Sequence, residues 1–282
     1  MRRGAAGLGC PLVLLTVVLT LSCAFQGVQA ATPIVFDSFG SPNPRTCASS
    51  GACSSISWTH NVGSGSNGIL VVGVSWEGTV VPTVAFGATM MTPLGDHINN
   101  NDKVHVGLWS LPVSSGASGT VLVTFSTPLN FIVGGSASYF NVASTGTVSS
   151  ADNTPPATTT ASDLVATSAG DLIVDTLGIA NTRVTLTASP TGLGQTQRWN
   201  SGSLSNAGSL SFLGAGSDQP ASGSSVTMSW SISPASFWSL IAVPLIPTST
   251  PIPEYPVGLP VLAILTALAY GLIRRRTRND RR

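Results

Sequence analysis

The chain has 282 residues, a formal net charge of +1, 8% charged side chains, 30 glycines and 43% hydrophobic residues. Between positions 31 and 253, four cations (Arg45, Lys103, Arg183 and Arg198) stand against nine aspartates and glutamates. This mildly acidic balance, without a basic patch, argues against a nucleic-acid partner, and the regular apolar alternation of the same region argues against disorder.

The chain opens on Met1-Arg2-Arg3, an apolar stretch over 12–21 and small residues at Val28 and Ala30. Basic, apolar and small-residue regions in that order predict a secretory signal peptide over 1–30, cut after Ala30. A lipoprotein reading at Cys23 is weaker, because Thr20 stands where an aliphatic residue is needed. Two cysteines then remain, Cys47 and Cys53. Outside the cytoplasm an even pair is most simply a disulfide, here closing a short loop. A metal site would need two more ligands nearby, with His60 as a thin candidate.

The region 31–246 reads as an ectodomain made of strands. In "TVLVTF", Val121, Val123 and Phe125 share one face and Thr120, Leu122 and Thr124 the other. "SVTMSW" repeats this with Val226, Met228 and Trp230 against Ser225, Thr227 and Ser229. Period-two alternation of this kind marks a sheet with one buried face. "VAFGATM" reads as a hairpin, with Gly87-Ala88 supplying a II′-type turn. There is also an internal echo: "GILVVGV" (68–74) resembles "GDLIVDT" (170–176). Each is followed at similar distance by one of the alternating strands and then by "FIVGGSASYFNV" or "FWSLIAVPLI". Two halves, about 55–142 and 162–246, are expected to share one strand order across a Pro/Ser/Thr-rich connector, 143–161. One sandwich built from paired halves is preferred to two, because the first half alone offers few strands for closure.

Chemistry is hard to find in this region. No GxSxG elbow and no HExxH motif is present. Asp171 and Asp175 invite a glycosidase reading, but four residues along a strand span about 13 Å, whereas paired carboxylates work at about 5–9.5 Å. They are expected to be edge or solvent-face charges that discourage aggregation. The polar stretch "GDHINNNDK" (95–103) holds oxygen ligands for Ca²⁺ at Asp96, Asn99, Asn101 and Asp102, yet Ile98 breaks the EF-hand spacing, and a solvated loop is preferred. His60, His97 and His105 read as structural or solvated. The six tryptophans are core filler first. Trp76 and Trp199, near strand ends, are the candidates for an exposed sugar-stacking platform. No cofactor or metal is expected.

Residues 247–256 form a Pro/Thr stalk ending in Pro253-Glu254-Tyr255-Pro256. The uncharged stretch 257–273 follows; at about 1.5 Å per residue it spans roughly 25 Å and is expected to cross a membrane as a single helix. The basic tail 274–282, with Arg274, Arg275 and Arg276 at its start, would stay cytoplasmic and leave the ectodomain outside. This terminal order resembles the PEP-CTERM class of sorting signals, including its archaeal PEF-type relatives. The resemblance covers 253–282, and Tyr255 departs from the commonest form of the motif. It implies a membrane-embedded exosortase or archaeosortase that removes or processes the tail; the alternative is a plain tail anchor.

The stretch 55–78, with "VHVGLWSLP" (104–112) behind it, resembles a β-sandwich module of secreted bacterial and archaeal surface proteins. That resemblance implies a jelly-roll-like fold with no agreed activity and transfers no site residue. The expected fold class is therefore all-β, an antiparallel β-sandwich with two pseudo-repeated halves, flanked by a signal peptide and one C-terminal transmembrane helix. The expected function is a non-enzymatic structural or adhesive role at the cell surface, with the membrane, a sortase and polysaccharide or other surface proteins as partners. The runner-up is a carbohydrate-binding module using exposed tryptophans.

Overall fold

The structure, a computed structural model, describes residues 30–40, 52–99, 104–182, 184–202, 204–205, 210–250 and 258–279. Ala31–Thr248 forms one compact unit. Its first half contributes β1 (Val35–Gly40), β2 (Cys53–Asn61), β3 (Gly68–Trp76), β4 (Thr83–Phe86), β5 (Thr89–Met90), β6 (Thr92–Ile98), β7 (His105–Val113), β8 (Ser118–Leu129) and β9 (Ile132–Phe140). The second half contributes β10 (Val142–Thr145), β11 (Ser149–Asp152), β12 (Thr158–Ala166), β13 (Leu172–Asn181), β14 (Thr187–Pro190), β15 (Thr196–Asn200), β16 (Leu204–Ser205), β17 (Ser211–Pro220) and β18 (Ser225–Pro247). The pairings between these strands are antiparallel. The expected hairpin is present: Phe86 pairs with Thr89, and Gly87 adopts the positive φ that such a turn demands.

The strands form four layers. In the first half, the sheet β2-β8-β4-β5 packs on the sheet β1-β9-β3-β7-β6. Ile56, Trp58, Val72, Val74, Val121 and Val123 lie in the core between them. In the second half, β10, β18, β13, β17 and β15 form the matching inner sheet, and β12 and β14 flank the first part of β18 as the outer layer. Ile173, Leu177, Leu213, Met228, Trp230 and Leu240 fill that core. The echo in the sequence is thus a shared topology. β3 corresponds to β13, β7 to β17 and β2 to β12, and β8 followed by β9 corresponds to the single long β18. The facing residues set its register: Val72, Val74 and Trp76 match Ile173, Asp175 and Leu177, one position away from the alignment of the two glycines at 68 and 170.

A third apolar layer joins the halves. Val71, Leu108 and Tyr139 of the first inner sheet pack against Val174, Ile241 and Val243 of the second. Phe131 and Phe212 stack with ring centroids 5.5 Å apart nearby. Both inner sheets are therefore covered on two faces, and β3, β9 and β17 are buried almost end to end. Strands covered on both faces read as near-continuous small and apolar runs, as "GILVVGVSW" and "IVGGSASYF" do, while the outer β2 and β12 alternate exposed and buried positions. Glycine sets the closeness of the seam. A Cβ added at Gly135 would run into the Trp199 ring, and one at Gly73 into Thr176 Oγ1.

Three expectations need correction. Each half closes its own core, so there are two stacked sandwiches in one unit; the first half supplies nine strands of its own. The connector 143–161 is no linker: β10 and β11 lie within it and pair with β18, covering the edge of the second inner sheet. The stalk begins later than expected, because Pro247 still belongs to β18.

The second unit takes in Met1–Ala30 and Ser249–Arg282. Its described helix, α1 (Gly258–Asn279), has 22 residues, but the arginines at 274–276 and 278 lie within it, and only 258–273 is uncharged. At about 1.5 Å per residue that part is shorter than a ~30 Å hydrocarbon core. Among the described residues no helix is long and apolar enough to cross a membrane, which corrects the expected span over 257–273.

The seam predicts that Gly135→Val destabilises the fold by about 1–3 kcal/mol through overpacking. Urea denaturation should show this loss, while Ser57→Val on an exposed outer position should leave the midpoint within experimental error.

Candidate functional site

Three buried polar assemblies and two exposed faces stand out. The first assembly lies inside the first sandwich. Trp58 Nε1 donates to Ser136 Oγ (2.8 Å), which lies 2.8 Å from His60 Nδ1. His60 Nε2 lies 3.0 Å from Ser138 Oγ, and Ser138 donates to Asp37 Oδ2 (2.7 Å). Burial lowers the His60 pKa to about 4, with Asp37 pulling the other way, so the ring is neutral at pH 7. With a neutral ring the donors run in one direction, Trp58 to Ser136 to His60 to Ser138 to Asp37, and every proton has an acceptor. Period-two geometry makes this possible, since Ser136 and Ser138 sit two apart on β9 and Trp58 and His60 two apart on β2. The relay ties the edge strand β1, through Asp37, to both sheets.

The second assembly lies in the second sandwich. Asp175 accepts from Ser217 N (2.7 Å), Ser217 Oγ (2.6 Å) and Trp230 Nε1 (2.7 Å), so it bridges the inner sheet to β18 in the outer layer. Burial pushes its carboxyl up to about 7, against the opposing effect of these donors. The third assembly crosses the seam. Asp218 takes a bidentate pair from Arg198 (Nε 2.6 Å, Nη2 2.9 Å) and a third hydrogen bond from Tyr139 Oη of the other half (3.0 Å). Arg198 also lies 3.7 Å over the Phe36 ring. Burial, then the Asp218 charge, pushes the Tyr139 phenol well above its ordinary range, so it remains a donor.

A nucleophile or general acid needs a group that substrate can reach. His60, Ser136, Ser138 and Asp175 are each at most 1% exposed and spend their protons and lone pairs on one another or on neighbouring strands. These assemblies position sheets.

The sequence-derived candidates fall as follows. Trp76 and Trp199 are 0% and 6% exposed, and the other four tryptophans are buried as well. Trp76 stacks on His105 at 4.1 Å, inside the first core. Trp199 fills the space that the seam glycines leave. Neither offers a ring face to solvent, which corrects the sugar-platform expectation. Asp171 and Asp175 are also buried, correcting their assignment to a solvent face: Asp175 lies on β13, which is covered on both sides, and Asp171 in the turn just before it. Asp171 accepts the Ser168 backbone N–H (2.7 Å). In the 95–103 stretch, Asp96 is bonded to His105 (2.7 Å) and Asn99 accepts from Val104 N, while Asn101 and Asp102 lie outside the described residues. No group of three or more metal ligands occurs among the described residues. Cys53 opens β2; Cys47, the Pro253–Pro256 motif and residues 1–29 lie outside the described residues. Arg274, Arg275 and Arg276 are exposed on α1.

Sequence reasoning missed the Tyr139–Asp218–Arg198 link. A signal existed: Arg198 is one of only four cations in the ectodomain, and Asp175 and Asp218 interrupt otherwise apolar or small-residue runs.

The two outer faces show the opposite composition. On the first, Ser57 stands opposite Leu122, Thr59 opposite Thr120 and Asn61 opposite Ser118. On the second, Thr160 stands opposite Ser231, Ser162 opposite Ser229 and Leu164 opposite Thr227. Among the described residues neither face carries an outward ionisable side chain, and of the eight described aspartates and glutamates of the unit only Asp96 is exposed. No family model, curated protein or solved structure matches the chain.

Two of the perturbed groups, Asp175 and His60, give a test with opposite signs. Asp175 titrates higher folded (about 7) than unfolded (3.8), so it removes stability as pH rises through that window. His60 titrates lower folded (about 4) than unfolded (6.5), so it removes stability as pH falls through its window. Asp175→Asn should therefore leave a profile that weakens towards acid, and His60→Gln one that weakens towards neutrality. Denaturant midpoints measured from pH 4 to 7 check this, and a profile unchanged in both variants refutes the assignments. Arg198→Met, which strands the Asp218 charge, should cost about 3–5 kcal/mol, with most of it recovered in Arg198→Met/Asp218→Leu.

Proposed function

We propose that the protein is exported and acts at the cell surface in a structural or adhesive, non-catalytic role. The observation that carries this is the order of the two ends: a basic, apolar and small-residue leader, then a terminal Pro253-Glu254-Tyr255-Pro256 motif, an uncharged stretch and an arginine cluster. In this reading an exosortase- or archaeosortase-like enzyme recognises the terminal signal and processes it, with Arg274, Arg275 and Arg276 closing that signal. The Cys47–Cys53 disulfide closes the loop ahead of β2 in the oxidising exterior.

The folded unit suits such a role. Its inner strand order, β1-β9-β3-β7, with β2-β8-β4 opposite and a matching order in the second half, supports a jelly-roll-like reading of each half. Hydrogen-bonded polar groups hold the layers together. With every tryptophan buried, the carbohydrate-platform alternative has lost the residues it rested on.

Mass spectrometry of the mature protein from its native cells tests the proposal. The expected product begins at Ala31 and lacks the arginine tail. A chain recovered inside the cell with Met1 and Arg282 both intact overturns it.

A further inference from the structure

Among the described residues of the unit every carboxylate and cation except Asp96 is buried or half-buried, and the two outer faces carry serine and threonine. The layers stack in the order outer, inner, inner, outer, so the two hydroxyl-bearing faces point to opposite sides of one compact unit. Each face carries one exposed leucine set among serine and threonine, Leu122 at 42% on the middle strand β8 and Leu164 at 66% on the edge strand β12.

We propose that these faces are two docking surfaces for an uncharged, hydroxyl-rich polysaccharide, and that one molecule bridges two polymer strands. The inference rests on the surface role above and names its partner. Charge selects the class. The unit carries nine carboxylates against four cations, a balance that disfavours a polyanion, and among the described residues neither face has the cations that phosphate or a lipid headgroup requires. A neutral polymer meets no such cost.

The hydroxyl array suits the same partner. Side chains on one face repeat about every 6.8 Å along a strand and about 4.8 Å across strands. Every Ser and Thr is both donor and acceptor, so the lattice can satisfy sugar hydroxyls of either polarity. The exposed leucine offers an apolar spot for the C–H face of a sugar ring. A single such face binds weakly. Two on opposite sides of one body gain through multivalency when the polymer is dense.

The test uses purified full-length protein, co-sedimented with a panel of insoluble neutral glucans and mannans, and with a polyanionic and a polycationic gel, at low and high salt. The expected result is sedimentation with at least one neutral polymer, unchanged by salt. Ser57→Glu/Thr120→Glu on one face, or Ser162→Glu/Thr227→Glu on the other, should each retain binding but abolish the cross-linking of soluble polymer, read as viscosity. The four-site variant should lose at least about tenfold in binding. Thermal melts establish folding, and Leu122→Ala/Leu164→Ala provides an independent pair should the four-site variant fail to fold.

Binding to no neutral polymer, binding only to a charged gel at low salt, or full binding by the folded four-site variant overturns the proposal. Polymer-free self-association lost in the same variants overturns it in favour of a second copy of this chain. A protein that is exported and processed yet binds no neutral polymer overturns this inference alone and leaves the surface role standing.

Discussion

The burial of two sheets on both of their faces is the constraint from which the rest of this structure follows. A sheet exposed on one side can leave half its side chains in water; the inner sheets here cannot. Their residues must be apolar, small, or polar with every hydrogen bond made. The seam shows all three solutions. Val71, Leu108 and Val243 supply apolar contact, Gly73 and Gly135 let bulkier neighbours in, and Asp218 is buried only because Arg198 and Tyr139 surround it. A buried carboxylate without such partners would cost several kcal/mol, more than a typical large apolar side chain contributes.

That requirement explains the unusual distribution of charge. Acidic residues that elsewhere keep a protein soluble are used here as internal acceptors: Asp37 closes a five-residue relay, Asp175 joins the layers of the second sandwich, and Asp163 takes the Ser149 hydroxyl. Serine and threonine then make up the outer faces, which respond little to ionic strength because screening acts on charges and among the described residues these faces carry none.

The outer layers were legible in the sequence because strict alternation survives where one face meets water. "TVLVTF" and "SVTMSW" both land on outer-layer strands with the expected residues inward. The repeat was legible too, although a one-residue offset between the matched glycines and the matched faces reverses which side chains enter each core. The errors have different sources. Trp76 and Asp175 point into the core of their own sandwich, Trp199 fills the seam between the inner sheets, and 142–152 pairs with an edge of the second inner sheet. Contacts between residues about a hundred positions apart leave no periodic trace, so the seam could be read only from the folded chain.

The long strand β18 has a mechanical meaning. Its first part belongs to the outer layer and its second to the inner sheet, where β13 bonds it on one edge and β10 and β11 on the other. A pull on the chain just past Thr248 enters along this strand and must shear ladders on both sides at once, not peel them one bond at a time. Tension applied there is shared among β10, β11, β12, β13 and β14, all of which bond to this one strand.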